Sequence, residues 1–182
     1  VVKVIWFFKR EGNMKKSLFG LVLIGLVAMS SQAAEKVRWP VWFTFSGAED
    51  VDVVGLRMPV GGHCDQVTGF ELGLVGRCRY FNGIQINVFR SSVEDELAGW
   101  QFSFLYNSVG DGNGVGLQSA LWNEAQTFSG IQVGLINLAD YCNGFQVGLI
   151  NRSEDMYGFQ LGVVNIIRNS RLPFSPLINV GF

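Results

Sequence analysis

The chain predicts an all-β fold built from a repeated unit of about fourteen residues. Three observations carry this. The phrase Gly–apolar–Gln–apolar–Gly–apolar–apolar–Asn begins at Gly130, Gly144 and Gly158, fourteen residues apart. Within each phrase apolar and polar side chains alternate with period two, the periodicity of a strand and not of a helix. Glycine is abundant at 23 residues and phenylalanine reaches 15, a composition suited to strands joined by tight turns. Net charge is −1, so there is no basic field and nucleic acid is not expected as a partner.

Residues 1–13, VVKVIWFFKREGN, precede a good start methionine and are read as over-extension of the reading frame. Residues 14–33 are read as a signal peptide. Lys15 and Lys16 form a basic region, Leu18 to Met29 an apolar one, and Ser31-Gln32-Ala33 a small-x-small cleavage site. Residues 34–182 form the expected single repeat-built domain, exported to a compartment where disulfides persist. That domain holds Cys64, Cys78 and Cys142. None lies at the cleavage site, which argues against a lipoprotein anchor.

Repeats of this length govern the reading of everything else. Beyond the three clearest phrases, units begin at Gly116, Gly99, Gly83, Gly69 and Gly55, with spacings of sixteen and seventeen around Gly99. PVWFTFS at Pro40 and LPFSPLIN from Leu172 imitate the unit at either end, which gives ten. The first, third and fifth positions after Gly are nearly all apolar, as in Phe145, Val147 and Leu149. The second is Gln85, Gln101, Gln118, Gln132, Gln146 and Gln160, with Glu71 and Arg57 as variants. The fourth is mostly small. The sixth is again apolar. Asn123, Asn137, Asn151 and Asn165 follow, with Asn179 in register at the end. The remaining six residues read as turns and hold most of the charge.

Two architectures suit this alternation. The expected one is an antiparallel meander of ten units closed into a small outer-membrane-type barrel. A tilted spanning strand of about ten residues plus a tight turn fills fourteen, and an even strand number suits bacterial barrels. The apolar column then faces lipid, and glutamines and glycines fill a narrow interior. The alternative is a parallel β-solenoid with one coil per repeat. Its support is phase, because identical columns stack directly only when units are parallel, and Gln and Asn then form amide ladders. A solenoid leaves the apolar sixth column exposed unless an oligomer covers it, and this favours the barrel. A small column nine residues after Gly, Cys64, Cys78, Ser92, Ser108, Ala125, Ala139 and Ser153, could line a tight inner corner of the solenoid, and the two readings differ at its members Cys64 and Cys78. A solenoid stacks them about 5 Å apart, whereas a barrel separates them by roughly 25 Å.

The chain closes PLINVGF, with Phe182 last. A final aromatic after an alternating strand resembles the signal read by the barrel-insertion machinery. The GxQxGLxN units, PVWFTF, the GLRM segment and LPFSPLINVGF also resemble a family of bacterial surface-repeat proteins, the spirochaete-type surface repeat. The resemblance spans Pro40 to Phe182. It implies an exported, envelope-associated protein without enzymatic activity, and it brings no catalytic motif.

Chemistry-bearing groups are few. His63 is the single histidine and lies beside Cys64 and Asp65, without the further ligands at fixed spacing that a metal site needs. VGDGNGVG at 109–116 lacks the Lys-Ser/Thr of a phosphate loop and the acidic spacing of a calcium loop, and reads as a hairpin tip. Glu94-Asp95-Glu96 reads as a solvated turn. The glutamine column could instead be an outward-facing array for sugar or ice. The expectation is a non-enzymatic outer-membrane or cell-surface structural protein without a cofactor. Its expected partners are outer-membrane lipid and the insertion machinery, or a host or surface partner. The alternative is an exported solenoid for adhesion or partner binding.

Overall fold

The computed structural model describes residues 38–182. The reading frame and signal-peptide expectations, at 1–13 and 14–33, lie outside the described residues. Eight strands follow in order. They are β1 (Arg38–Thr44), β2 (Ala48–Pro59), β3 (His63–Ser103), β4 (Tyr106–Ser119), β5 (Trp122–Val133), β6 (Ile136–Val147), β7 (Ile150–Ile167) and β8 (Phe174–Gly181). They form one sheet in sequence order, parallel from β1 to β7. Only β8 runs antiparallel, against β7.

This is a β-solenoid of about eight stacked coils, and the expected antiparallel barrel is overturned. The reason is the phase of the repeat. Gly144 pairs with Gly130 and Gly158, Gln146 with Gln132 and Gln160, and Asn137 with Asn123 and Asn151. Such like-on-like registry requires every unit to run the same way. An antiparallel meander would send alternate units to opposite ends. The long β3 contains the coils led by Gly69, Gly83 and Gly99.

Each coil bends in three places. The chain kinks at Gly134-Leu135 and again at Gly148-Leu149, where Leu149 and Ile150 both donate backbone N–H bonds to Leu135. A second break falls between Ala125 and Thr127, stacked on that between Ala139 and Tyr141. The third is the leading glycine. Gly144 has φ +138°, and an added Cβ would lie 2.1 Å from the carbonyl oxygen of Gly130. Only glycine meets both demands, since a positive φ and the approach of the coil below each exclude a side chain.

The extra residues of the coils at Gly83 and Gly99 are absorbed in bends. Val93 pairs with Val109 and Leu97 with Gly114, so one additional residue bulges out between them. Compared with the following coil the same bend holds two extra residues, three lying between Val109 and Asn113 opposite one between Ala125 and Thr127. The Gly-rich stretch at 109–116 is therefore a widened solenoid corner, not a hairpin tip. This slip also corrects the small column expected to contain Ser92 and Ser108. Val93 and Val109 are the buried residues there, and Val109 pairs with Ala125.

The apolar core lies in the segment read as turns. Val67, Phe81, Leu97, Phe128, Cys142 and Met156 are buried, as are Cys64, Cys78, Ala125 and Ala139. Gly114 occupies the same column, where an added Cβ would meet the Phe128 ring at 2.6 Å, so a small residue in one coil admits a large one in the next.

The chain reverses after β7 for a reason visible in the repeat. Fourteen residues beyond Gly158 stands Leu172, which cannot take the glycine's place over Gly158. A turn through Arg168 to Ser170, with Ser170 N–H donating to Ile167, instead returns the chain as β8. Asn179 consequently lies opposite Gln160 and does not extend the asparagine column. The last unit is an antiparallel cap, and Phe182 ends it 95% exposed. With the barrel overturned, the reading of Phe182 as an insertion signal loses its basis.

Candidate functional site

Two features of the stack are candidates for function, the amide ladders inside and the apolar wall outside. The ladder glutamines Gln85, Gln101, Gln118, Gln132, Gln146 and Gln160 are all 0% exposed. An outward-facing ligand array of glutamines is therefore excluded. Each donates from Nε2 to the Oε1 of the residue in the preceding coil, at 2.7–3.0 Å. Gln85 donates to Glu71 Oε1 at 2.8 Å. Arg57 Nη1 lies 2.6 Å from Glu71 Oε2, and Arg57 Nε donates to Thr44 Oγ1 at 3.3 Å. The two departures from Gln noticed in the sequence are thus adjacent rungs of the same ladder.

The carboxylate fixes the direction of the amides. Glu71 can only accept, so Gln85 must turn its NH₂ toward it, and each later amide follows. The asparagine ladder runs the other way. Asn107, Asn123, Asn137 and Asn151 donate to the next coil's Oδ1 at 2.8–3.1 Å. Their Nδ2 groups also donate to backbone carbonyls, as Asn137 does to Val147 at 2.9 Å, which sets this opposite orientation. In the coil led by Gly83, Ser91 holds the position paired with Asn107. The two sets of side-chain dipoles oppose one another, so the interior carries polar groups without a large net dipole. Satisfied in this way, each buried amide bond contributes about 1 kcal/mol, and losing its partner costs about 1–3 kcal/mol.

The exterior inverts the usual arrangement. Phe145, Val147 and Leu149, with their counterparts Ile131, Val133 and Leu135 and Phe159, Leu161 and Val163, are exposed. So are Phe70, Leu72, Leu74, Trp100 and Phe104 in earlier coils. The sixth column joins them at Phe89, Leu105, Trp122 and Ile150. Phe145 and Phe159 stack with centroids 5.6 Å apart. The column expected to face lipid from a barrel thus faces outward from a solenoid.

The charged residues occupy other sides of the coil. Arg152 and Arg168 both contact Glu154 Oε1, at 2.8 and 2.9 Å. Arg79 pairs with Asp95 at 3.1 Å, and His63 Nδ1 lies 3.5 Å from Glu94. A polar groove of about 390 Å³ includes Tyr106, Glu124, Asp140 and Arg152 in its lining. There Tyr106 donates to Glu124 at 2.7 Å; burial first, then this bond, pushes the phenol above its usual range. Among the described residues no three His, Cys, Asp or Glu side chains gather as a metal site.

All three cysteines are buried and unbridged. Cys64 Sγ lies 3.0 Å from the Val51 carbonyl oxygen. Burial pushes the Cys142 thiol up to about 12. Burial, then the Glu71 carboxylate, pushes Cys78 well above the ordinary thiol range. Native protein at pH 8 is therefore expected to leave these two thiols unmodified by a thiolate-selective reagent, and denatured protein to expose three. A native chain that reacts at once at Cys78 or Cys142 would contradict the burial. Two fewer thiols after unfolding would reveal a Cys64–Cys78 bridge. Because the folded thiols resist ionisation, their contribution to stability is present below the unfolded thiol range and is lost as pH rises above it.

The fold and these two features define a repeat-built β-solenoid with an amide-filled interior and an apolar exterior wall. Compared with family models, curated proteins and solved structures, the chain matches none.

The sequence located the Gly, Gln and Asn columns, and the structure brings each into one continuous stack. Sequence reasoning placed the small column nine residues after Gly at an inner corner of the solenoid alternative, and missed the apolar column twelve after Gly that completes the core. The signal of the core was present, as small or apolar residues nine and twelve positions after Gly, for example Ala139 and Cys142.

Proposed function

We propose that this chain is a non-enzymatic, exported β-solenoid that acts by presenting its apolar wall to a partner at the outer membrane or cell surface. The observation that carries the reading is the inversion of burial. Amides fill the interior, while large apolar side chains cover the exterior on both sides of the Gly134-Leu135 bend through successive coils. Burying such a face is favourable by about 25 cal/mol per Å², and water-exposed patches of this kind mark interaction sites. The interior amides are bonded to one another and closed to a substrate, which supports a scaffold over an enzyme. Export is supported by the order of basic, apolar and small residues from Met14 to Ala33. The likeness of the GxQxGLxN units to the spirochaete-type surface repeat points the same way.

Fractionation of a bacterium expressing the full chain tests this. The expected product lacks Met14 to Ala33 by intact mass and partitions with the envelope. Val147→Arg and Leu149→Arg are expected to fold with an unchanged circular dichroism spectrum, because both side chains are outside the core. Each should lower the envelope-bound fraction about tenfold, the effect of about 1.4 kcal/mol. Glu154→Arg should not. A product that retains Lys15 and Lys16 would defeat the export reading, and equal partitioning of all three variants would defeat the role of the wall.

A further inference from the structure

We infer that the occupant of the apolar wall is a second copy of this chain, packed wall to wall about a two-fold axis. The inference rests on the proposed function, since it names the partner of the same surface. Three observations support this choice over a lipid surface or an unrelated protein.

The first is area. The exposed wall offers on the order of 1,500–2,000 Å² of apolar surface, at about 150–250 Å² for a fully exposed large side chain. A standard interface needs only about 800 Å² per partner, and the largest patch on an ordinary monomer is about 300–600 Å². A dimer leaving half the wall bare would still reach the standard size.

The second is the repeat of the surface itself. Side chains recur along the stack with the strand spacing, about 4.8 Å, and across it, up to the bend at the fourth position, every second residue, about 6.6 Å. A second copy carries the same two spacings, so its ridges can enter this copy's grooves at every coil, as in a dry interface between paired sheets. A shallow groove suited to this runs along the fourth position after Gly. It is floored by Gly134, Gly148 and Gly162, bounded by residues such as Val147 and Leu149, and encloses about 510 Å³. Each copy supplies both ridge and groove, so the contact is isologous and closes as a dimer.

The third is charge. The first, third, fifth and sixth columns contain no Lys or Arg from Gly69 to Val164. The molecule's net charge is −1. Surfaces that lie on membranes combine an apolar face with flanking basic residues. Here Arg79, Arg152 and Arg168 are paired with carboxylates, and the exposed Arg77 and Arg171 stand outside the wall columns. A wall that itself holds no Lys or Arg, on a molecule of net charge −1, fits a like wall better than it fits anionic headgroups.

Sedimentation equilibrium of the purified full chain in detergent-free buffer tests the dimer. The expected mass is twice the monomer's 20.1 kDa, and the thermal midpoint should rise with protein concentration. Leu149→Lys and the milder Val147→Ser should raise the dissociation constant, the former by about 100-fold, while Glu154→Lys leaves it unchanged. If Leu149→Lys loses its circular dichroism spectrum, Val147→Ser and the concentration dependence of the wild type decide alone. A wild-type monomer with a concentration-independent midpoint overturns the inference. So does a monomer that floats with phosphatidylcholine vesicles, or a dimer broken by Glu154→Lys and not by the wall variants. Envelope partitioning with a monomeric wild type would sink the dimer and leave the proposed function standing. A dimer absent from the envelope would do the reverse.

Discussion

Glu71→Gln is expected to destabilise the folded chain by about 3–5 kcal/mol, and adding Arg57→Gln is expected to restore most of that loss. Both wild-type side chains are fully buried, and their charges lie 2.6 Å apart. Removing only the carboxylate leaves a buried guanidinium without its counter-charge. The new amide also has to accept from Gln85 and Asn87, as Glu71 Oε1 does now at 2.8 and 2.7 Å. Its NH₂ then points at Arg57 Nη1, donor against donor. The double variant removes that conflict, because two glutamines continue the ladder already formed above them. Denaturant titration of the two single variants and the double variant measures the coupling. If the double variant is as unstable as the sum of the singles, Arg57 and Glu71 do not act as one charged rung.

The second large effect concerns two kinds of glycine that the repeat places four residues apart. Gly144→Ala is expected to cost on the order of 3 kcal/mol or more, while Gly134→Ala costs about 1 kcal/mol or less. At Gly144 the backbone has φ +138° and a methyl group would meet the rigid carbonyl of Gly130 at 2.1 Å. At Gly134 the backbone angle is ordinary. The crowding is still close, with the Ala120 carbonyl oxygen 2.3 Å from an added Cβ. Yet equivalent positions in other coils hold Ala120 and Ser103, so the stack has a way to admit a methyl there. No coil from Gly55 to Gly158 places a side chain in the leading column. Comparable losses at both sites, by urea denaturation, would show that backbone handedness is not what fixes the leading glycine.

Much of this was legible in the residues. Period two made the units strands, but the bends were misplaced, since the kink at Gly134-Leu135 falls inside the alternating phrase and the six residues read as turns are largely strand. The columns of Gly, Gln and Asn were readable because each serves one geometric need in every coil. What alternation inside a single unit does not contain is the direction of the next unit. That information lay between units, in the matching phase of Gly130, Gly144 and Gly158. The uninterrupted apolar sixth column pulled the reading toward lipid instead. Hydropathy alone does not tell a lipid-facing wall from one that faces another protein. The Arg57–Glu71 pair was visible only as two departures from Gln until stacking placed one above the other. The core was obscured because Ala139, Cys142 and Met156 are few apolar residues among many charged neighbours. Insertions around Gly99 could be counted in the sequence, but not assigned to particular bends.

The fixed orientation of the glutamine amides gives the stack an order of growth. On its C-terminal side a coil once laid down shows a free asparagine NH₂ and a free glutamine carbonyl. Only the NH₂ of a following glutamine fits that carbonyl. Gln160 shows the same end state, its Oε1 buried and without a hydrogen-bond partner among the described residues. A chain that emerges amino end first therefore meets its template in the order in which its glutamines appear. Closing each new coil requires a loop of about fourteen residues, a short search by the standards of β-structure. Folding can then advance like a zip fastener from the charged rung at Arg57 and Glu71, with nucleation slow and each later coil fast.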